Sequence, residues 1–327
     1  MSYKKRFWHI VSEIESVLEG LNNHPDYSGV IRKQSINYLM AEANKSSAKI
    51  EVDFKDTSKN KKKIAYNRLS EALDFVSSVV ADRKKSGNLL YDHYLLIQAA
   101  SILEPEKNKG STYRHNIAQI GSSYKSFENI EYDVDNVLYH LNSGTNHPIF
   151  NAIDAHLQLI NIHPFKDGNG RLSRLIQNFF LTDNNYTPSI IVPSCGDDYM
   201  KLVERAREDR EKNLSSRFSQ SSKELDFFSF VAESILCTSK CLEDELSKNK
   251  FFQVNFSNVD NGELFNYLKR MRSSLRRNNS NVKIKVVDGS SKRKNIRVKG
   301  DISRDDLKTI LDNMIKKEEV SYKIQKI

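Results

Sequence analysis

The feature that most constrains this chain is a loop of twelve residues, 163–174, between two segments with helical patterning. Apolar residues before the loop recur at helical spacing, at Ile149, Ile153, Leu157 and Ile160. Pro164 disfavours helical geometry in the residue before it, so the first helix should end near His163. A second apolar stripe follows at Leu172, Leu175, Ile176, Phe179 and Phe180. The chain must therefore bring the ends of two core helices together at this loop.

The loop combines the residue types that phosphate chemistry requires. A helix that starts near Asn169 or Gly170 directs the unpaired N–H groups of its first turn at the loop, which favours anion binding. Arg171 and Arg174 lie on one face near that start, where the helix dipole disfavours cations unless an anion is present. Asp167 offers a hard oxygen ligand for Mg²⁺ bound to a nucleotide.

His163 is the group in the loop that can accept a proton near neutral pH. The residue set therefore predicts phosphoryl or nucleotidyl transfer, with His163 deprotonating an attacking hydroxyl. The alternative is a Gly-Asn turn between two core helices with a surface histidine. Each residue taken singly fits that alternative, but the combination at this spacing favours a site.

The segment His163-Pro-Phe-Lys-Asp-Gly-Asn-Gly-Arg-Leu-Ser-Arg174 resembles the signature of Fic-domain proteins, H-P-F-x-[DE]-G-N-G-R-x-x-R, at every specified position. Most proteins with this signature transfer AMP from ATP to a Ser, Thr or Tyr hydroxyl of a target protein. The resemblance implies that His163 is the general base, that Asp167 binds Mg²⁺ and that Arg174 holds the γ-phosphate. It also implies a cradle for the ATP phosphates, made of Gly168, Asn169, Gly170 and Arg171. Glycine at 168 favours adenylylation over the related Doc-type kinases.

A second resemblance lies upstream, where Ser47-Ala-Lys-Ile-Glu51 is similar to the inhibitory-helix motif of the family, [ST]-x-x-x-E-[GN]. In the family this glutamate pairs with the second arginine of the loop and blocks the γ-phosphate position. The resemblance therefore implies an autoinhibited state in which Glu51 pairs with Arg174. Val52 departs from the motif, which has Gly or Asn there. Judged by its own residues, the segment also fits a solvated helix end.

The stretch from Gly110 to Gly121 resembles the approach to the family's flap, a β-hairpin that clamps the target segment. The resemblance places four hairpin residues along the nucleotide site: Ile120, Gly121, Ser122 and Ser123. An ordinary exposed loop is the alternative. Downstream, Tyr199 falls where the family often places an aromatic ring against the nucleotide base. Relatives often have Asn at position 207, and this chain has Arg207, so that role is not carried over.

Patterns along the whole chain predict a mainly α fold: a Fic-type helical domain with a short β-hairpin flap, and a small C-terminal α+β module. We expect an N-terminal helical region with the inhibitory motif over 1–85, a catalytic domain over 86–247 and a basic module over 248–327. Helices are predicted at 8–22, 31–45, 64–83, 90–104, 126–142, 147–162, 169–183, 197–213 and 222–247, with a loop at 55–63. The module should contain helices at 261–277 and 303–318 and a strand pair at 281–287 and 294–299.

Positive charge is concentrated in the C-terminal module. The net charge of the chain is +9, but residues 248–327 hold 20 Lys and Arg against 9 Asp and Glu, which leaves −2 for the remainder. Basic residues at 270, 272, 276, 277 and 292–294 would attract nucleic acid or an acidic partner. A solvated basic face fits equally well, because few aromatic residues interleave with them.

Three cysteines and the lack of a long apolar run favour a cytoplasmic protein without a membrane span. The resemblance implies ATP and Mg²⁺ as ligands, a protein target, and the homodimers that relatives often form. Three functions stay open. One is AMP transfer to a target and to the protein itself, held off by Glu51. The second is removal of AMP, or another nucleotide or phosphate transfer, at the same site. The third is a nucleotide-sensing regulatory protein that binds nucleic acid through the module.

Overall fold

Helices make up most of this computed structural model. The structure describes residues 2–24, 27, 29–53, 59–108, 110, 112–120, 123–212, 220–248, 250–257, 264, 266–271, 273, 283–288, 293–300, 304–315 and 321–326. The chain divides into two compact units, one of residues 1–18 with 35–239 and the other of residues 19–34 with 240–327. Across the described ranges, no helix is both long and apolar enough to cross a membrane.

The helices up to residue 248 are α1 (Tyr3–Asn23), α2 (Gly29–Asp53), α3 (Lys59–Ser86), α4 (His93–Leu103), α5 (Ile130–Ser143), α6 (Pro148–Ile162), α7 (Asn169–Asp183), α8 (Gly196–Lys212) and α9 (Ser222–Lys248). Each predicted helix is present, so the mainly α fold is confirmed. The loop predicted at 55–63 is wrong for its second half, because α3 begins at Lys59. Lysine is a good helix former, and the apolar stripe of α3 extends this run as a helix. Residues 54–58 lie outside the described residues.

Helix α7 is buried on nearly every side. Twelve of its fifteen residues are buried, although the sequence predicted one apolar stripe. The polar residues of the helix are satisfied by partners: Gln177 binds His156 of α6, and Asn178 exchanges hydrogen bonds with the backbone of Ser189. Buried polar groups are tolerated when they are paired in this way. The first turn of α7, which carries the loop, is therefore set in a rigid core.

The flap is a short antiparallel hairpin, as predicted. Strand β1 (Ala118–Ile120) pairs with β2 (Ser123–Lys125), and Ile120 lies opposite Ser123. Both of these predicted site residues are partly exposed. The other two, Gly121 and Ser122, lie outside the described residues.

The C-terminal unit contains a four-stranded antiparallel sheet. Its strands are β3 (Lys250–Ser257), β4 (Lys283–Asp288), β5 (Arg293–Gly300) and β6 (Ser321–Lys326), in the order β4-β5-β3-β6. Helical residues 266–271 (α10) follow β3, and α11 (Arg304–Met314) follows β5. This β-α-β-β-α-β succession with that strand order is a ferredoxin-like split βαβ arrangement. The predicted α+β module is confirmed, with two strands that the sequence did not predict.

Candidate active site

His163 closes helix α6 in a left-handed backbone conformation. Its φ and ψ are 53° and 59°, and its N–H donates to the Leu159 carbonyl at 3.1 Å. Few non-glycine residues adopt this conformation, and those that do depend on surrounding contacts to hold them. Pro164 disfavours helical geometry at the preceding residue. The helix therefore ends where the sequence predicted, and the backbone of His163 is fixed.

Arg114 joins this helix end to the flap. The side chain is buried, and its guanidinium donates to five carbonyl oxygens, those of His163 (2.7 Å), Ile162 (3.3 Å), Ser126 (2.8 Å), Lys125 (3.2 Å) and Asn116. Its backbone N–H donates to the Pro164 carbonyl at 2.9 Å. Charged donors make strong hydrogen bonds, and a buried group bound on both sides acts as a rigid connector. The flap and the histidine are thus held in one register.

Within the loop, Asn169 and Gly168 shape the backbone. Both amide atoms of Asn169 are used on Phe165, with Nδ2 donating to its carbonyl at 2.8 Å and Oδ1 accepting from its N–H at 3.0 Å. Gly168 has a φ of 80°, and a Cβ there would lie 3.4 Å from Glu104 Cγ. Glycine is required by that conformation. Gly170 is the second residue of α7 and is partly exposed.

The imidazole of His163 is held in its neutral form. Burial lowers its pKa from 6.5 to about 4. The Ile160 carbonyl and Asp167 carboxylate oppose this shift, whereas the positive charges of Arg114 and Arg207 add to it. The side chain is nevertheless partly exposed. A neutral, reachable imidazole is able to accept a proton at pH 7.

Arg174 lies between Ser47 of helix α2 and the buried hydroxyl of Tyr199. Its Nε donates to Ser47 Oγ at 2.8 Å, and its Nη1 donates to the Tyr199 hydroxyl at 3.1 Å. Arg174 is 4% exposed and Ser47 is 4% exposed. The backbone of Glu51 lies one helical turn further along α2, and its side chain falls outside the described part of the chain. Ser47 of the predicted inhibitory motif therefore contacts Arg174 of the loop.

Arg171 takes a different partner. Its Nη2 donates to Glu104 Oε1 at 2.6 Å, and Glu104 also pairs with Arg68 at 3.4 Å. Both the Arg171 guanidinium and this carboxylate are largely buried, and a buried pair of this kind fixes the side chains strongly. The two arginines of the loop thus have protein partners in the absence of a phosphate.

Asp167 is the residue for which the sequence predicts contact with a metal ion. It is half-buried, and its Oδ1 accepts from the Gly168 N–H at 2.7 Å, with Arg171 Nη2 at 3.8 Å. Over the described residues, no group of three His, Cys, Asp or Glu side chains could hold a metal ion by itself. A single carboxylate fits Mg²⁺ that arrives with a nucleotide, because Mg²⁺ is bound by one or two carboxylates and substrate phosphates.

Tyr199 does not lie where the sequence placed it. The resemblance put this ring against a nucleotide base, but the side chain has no exposed surface. Its hydroxyl accepts from Arg174 and lies 2.9 Å from His156 Nε2, and His156 Nδ1 lies 2.5 Å from the Gln177 amide oxygen. An amide oxygen only accepts, so His156 donates to it and accepts from Tyr199. Tyr199 therefore orients Arg174 instead of contacting a base.

Comparison with known proteins matches this geometry to one family. Residues 88–181, which include the loop and the flap, match the model of the Fic/DOC family. The chain therefore contains a segment similar to Fic/DOC proteins. The solved structures it resembles include a Fic domain-containing signaling protein from Bacteroides thetaiotaomicron VPI-5482, with a TM-score of 0.55 and 17% identity over 72% of this chain and 95% of that one. Fic-1 from C. elegans has a TM-score of 0.54 and 15% identity over 74% of this chain and 73% of that one. At this identity they show a shared fold.

Curated relatives are matched more closely over a shorter segment. Proteins named protein adenylyltransferase Fic from Drosophila sechellia and Drosophila melanogaster are 44% identical over 66 residues, or 20% of this chain. The match spans 13% of the length of each of those proteins.

The sequence assigns no role to three residues that the structure brings to the candidate site. Arg114 lies within the predicted approach to the flap, Glu104 lies at the end of a predicted helix, and Arg207 departs from the Asn that relatives often have. Arg207 is fully buried, and its Nη2 donates to the Ile120 carbonyl at 2.9 Å and to Glu204 at 2.8 Å. The contacts of Arg207 with Ile120, of Arg114 with His163 and of Glu104 with Arg171 join residues far apart in the chain, so no local pattern indicates them.

The lowered pKa values of two histidines predict a loss of stability in acid. Burial lowers the pKa of His156 to about 3 and that of His163 to about 4. Between pH 6.5 and about 4 the unfolded chain binds protons that the native chain does not, so the free energy of unfolding falls as pH falls. The expected slope is about 1.4 kcal/mol per pH unit for each histidine.

Urea unfolding between pH 7 and pH 5 measures this slope for the wild type and for His163→Gln. In the variant, the slope of the free energy of unfolding against pH should be smaller by about 1.4 kcal/mol per pH unit. Exposed His115→Gln is the matched control for removing an imidazole. Equal slopes for the wild type and His163→Gln would show that this imidazole is not shifted.

Proposed function

We propose that this chain transfers AMP from ATP to a Ser, Thr or Tyr hydroxyl of a target protein and of itself. The observation that carries the proposal is the joint placement of His163 and two buried arginines. The neutral imidazole lies at the loop, and Arg171 and Arg174 lie in the first turns of α7. The naming of the Drosophila relatives as protein adenylyltransferases supports the proposal for the matched segment.

The reaction follows from the roles of these residues. The target hydroxyl oxygen attacks the α-phosphorus of ATP while His163 takes the hydroxyl proton. The bond from that phosphorus to the oxygen bridging the α- and β-phosphates breaks, and pyrophosphate leaves with the electron pair. The first-turn N–H groups of α7 and the guanidinium of Arg171 stabilise the negative charge, and Arg174 holds the γ-phosphate. Asp167 would hold Mg²⁺, which neutralises charge on the phosphates.

The flap would position the target segment beside His163. Exposed backbone at the edge of a hairpin is able to pair with an extended peptide. Because Arg114 fixes the flap to the histidine, and Arg207 holds the Ile120 carbonyl, a peptide paired with the flap would be held in a defined register with the base. Such positioning contributes to rate by orienting the reacting hydroxyl.

We further propose that the site is autoinhibited. Arg174 cannot bind a γ-phosphate productively while its donors are directed at Ser47 and Tyr199. Glu51, one turn beyond Ser47 in α2, would pair with Arg174 as in the inhibitory motif it resembles. Removal of AMP from a modified protein, or transfer of phosphate, would use the same residues and is separated from AMP transfer by the product.

The test is to incubate the protein and Glu51→Gly with cell lysate, Mg²⁺ and ATP labelled at either the α- or the γ-phosphate. AMP transfer predicts protein labelling from the α-label and none from the γ-label, with an AMP-sized mass increase on a hydroxyl residue. Labelling from the γ-phosphate would instead identify a kinase. If neither label reaches any protein, and lysate proteins already carrying AMP lose it, the site removes AMP.

A further inference from the structure

The sheet of the C-terminal unit has two unlike faces. Even-numbered strand positions, among them Val254, Phe256, Ile296, Val298 and Ile324, are buried in a core with residues of α10 and α11. Alternate residues of a strand lie on opposite faces, so the odd-numbered positions of 251–257, 293–299, 283–285 and 321–325 share the other face. We call this second surface the open face.

Cations dominate the open face. Six of its positions are Lys or Arg, at Lys283, Lys285, Arg293, Arg297, Lys299 and Lys323, and none of the odd-numbered positions is acidic. The irregularity at Val286/Asp288 adds one carboxylate residue, Asp288, opposite Asn295. The strand register sets Lys285 opposite Arg297 and Lys283 opposite Lys299. Like charges directly opposite each other destabilise a sheet, so this pattern has no rationale in stability.

The described side chains on this face are partly or fully exposed to solvent. Asn255 and Asn295 lie on the two central strands and are half-buried, whereas Ser321 and Lys323 on β6 are exposed. On the opposite face the neighbouring positions are buried. A second layer packed over the open face would bury the two central asparagines, just as α10 and α11 bury the residues on the opposite face. Solvent therefore reaches the described positions of the open face.

An extended polyanion complements this surface better than a folded protein does. A protein interface has an apolar centre from which charged residues are depleted, and here charges occupy the central strand. Amide residues Gln253, Asn255 and Asn295 alternate with the cations, and Phe251 adds one aromatic residue. Four-stranded sheets bind single strands through such polar groups and stacked bases, with phosphates bound by cations.

We propose that the open face binds single-stranded nucleic acid, mainly through its phosphates and with little sequence preference. This proposal is independent of AMP transfer. Six phosphate contacts at about −0.7 each predict a slope of about −4 for log K against log salt. Affinity should then fall by about two orders of magnitude between 50 and 200 mM salt.

The test uses fluorescence anisotropy of the full chain with a labelled oligouridylate over a salt series. Lys285→Gln combined with Arg297→Gln removes two opposite cations of the open face. The matched control, Lys308→Gln combined with Arg270→Gln, removes one Lys and one Arg at exposed positions of α11 and α10. Circular dichroism melting checks that both variants fold.

The expected result is at least about tenfold weaker binding by the open-face variant and a slope shallower by about 1.4, with the control close to wild type. Equal weakening in both variants would mean that binding depends on net charge and not on the open face, which would overturn the proposal. No binding at low salt would also overturn it. So would tighter binding of duplex RNA, of polyglutamate or of anionic vesicles than of the single strand.

Discussion

Replacing His163 by alanine is expected to lower the rate of AMP transfer by about 10²–10⁴-fold, the usual contribution of a general base. The imidazole is neutral because burial lowers its pKa to about 4, so nearly every molecule carries the base form at pH 7. Its backbone is fixed by the left-handed cap and by Arg114. The loss should therefore reflect the missing base and not a rearranged backbone.

Initial rates with α-labelled ATP measure the effect in the Glu51→Gly background, and ATP binding is measured separately. Binding should be retained, because Arg171 and Arg174, the proposed phosphate ligands, are unchanged, while the rate falls. His9→Ala, which removes an exposed imidazole of α1, is the matched control. A His163→Ala protein that labels its target at the wild-type rate would exclude His163 as the base.

The loop and its helices could be predicted because their determinants are local. Pro164, Gly168 and Asn169 act on the backbone of their immediate neighbours, and the contacts between Asn169 and Phe165 span only four residues. The sequence also places Ser47 and Glu51 one helical turn apart, and the structure brings Ser47 to Arg174. The motif could not predict the series of hydrogen bonds that runs from Arg174 through Tyr199 to His156 and joins α7, α8 and α6.

Other misses have two physical causes. The strand at 250–257 alternates Phe252, Val254 and Phe256 with polar residues, and this period of two is typical of the half-buried strand that the prediction lacks. The placement of Tyr199 failed because an aromatic residue at one position of α8 fits either a base or a buried hydrogen-bond network. Only the packing of α6 against α7 decides between them, and that depends on residues distant in sequence.

A second large effect is expected from replacing Ser47 of α2, which should raise the fraction of molecules able to bind ATP. Ser47→Ala removes the acceptor of Arg174 Nε, in a setting where both residues are buried. Hydrogen bonds to charged groups contribute about 1.5–3 kcal/mol, and this one exists only while Arg174 faces α2. Its loss destabilises the resting state alone, so the population able to bind ATP should rise by about tenfold or more. Glu51→Gly should raise it further.

Ser46→Ala is the matched control for Ser47→Ala. Ser46 lies beside Ser47 in the same helix and is also buried, but its hydroxyl donates to the Ile191 carbonyl and not to Arg174. The two substitutions remove the same atom from the same helix, so a general loosening of α2 would raise AMP transfer in both. Autoinhibition through Arg174 predicts a rise in Ser47→Ala alone. Equal rates in the two serine variants would mean that α2 restrains the loop by packing, with Arg174 playing no part in the switch.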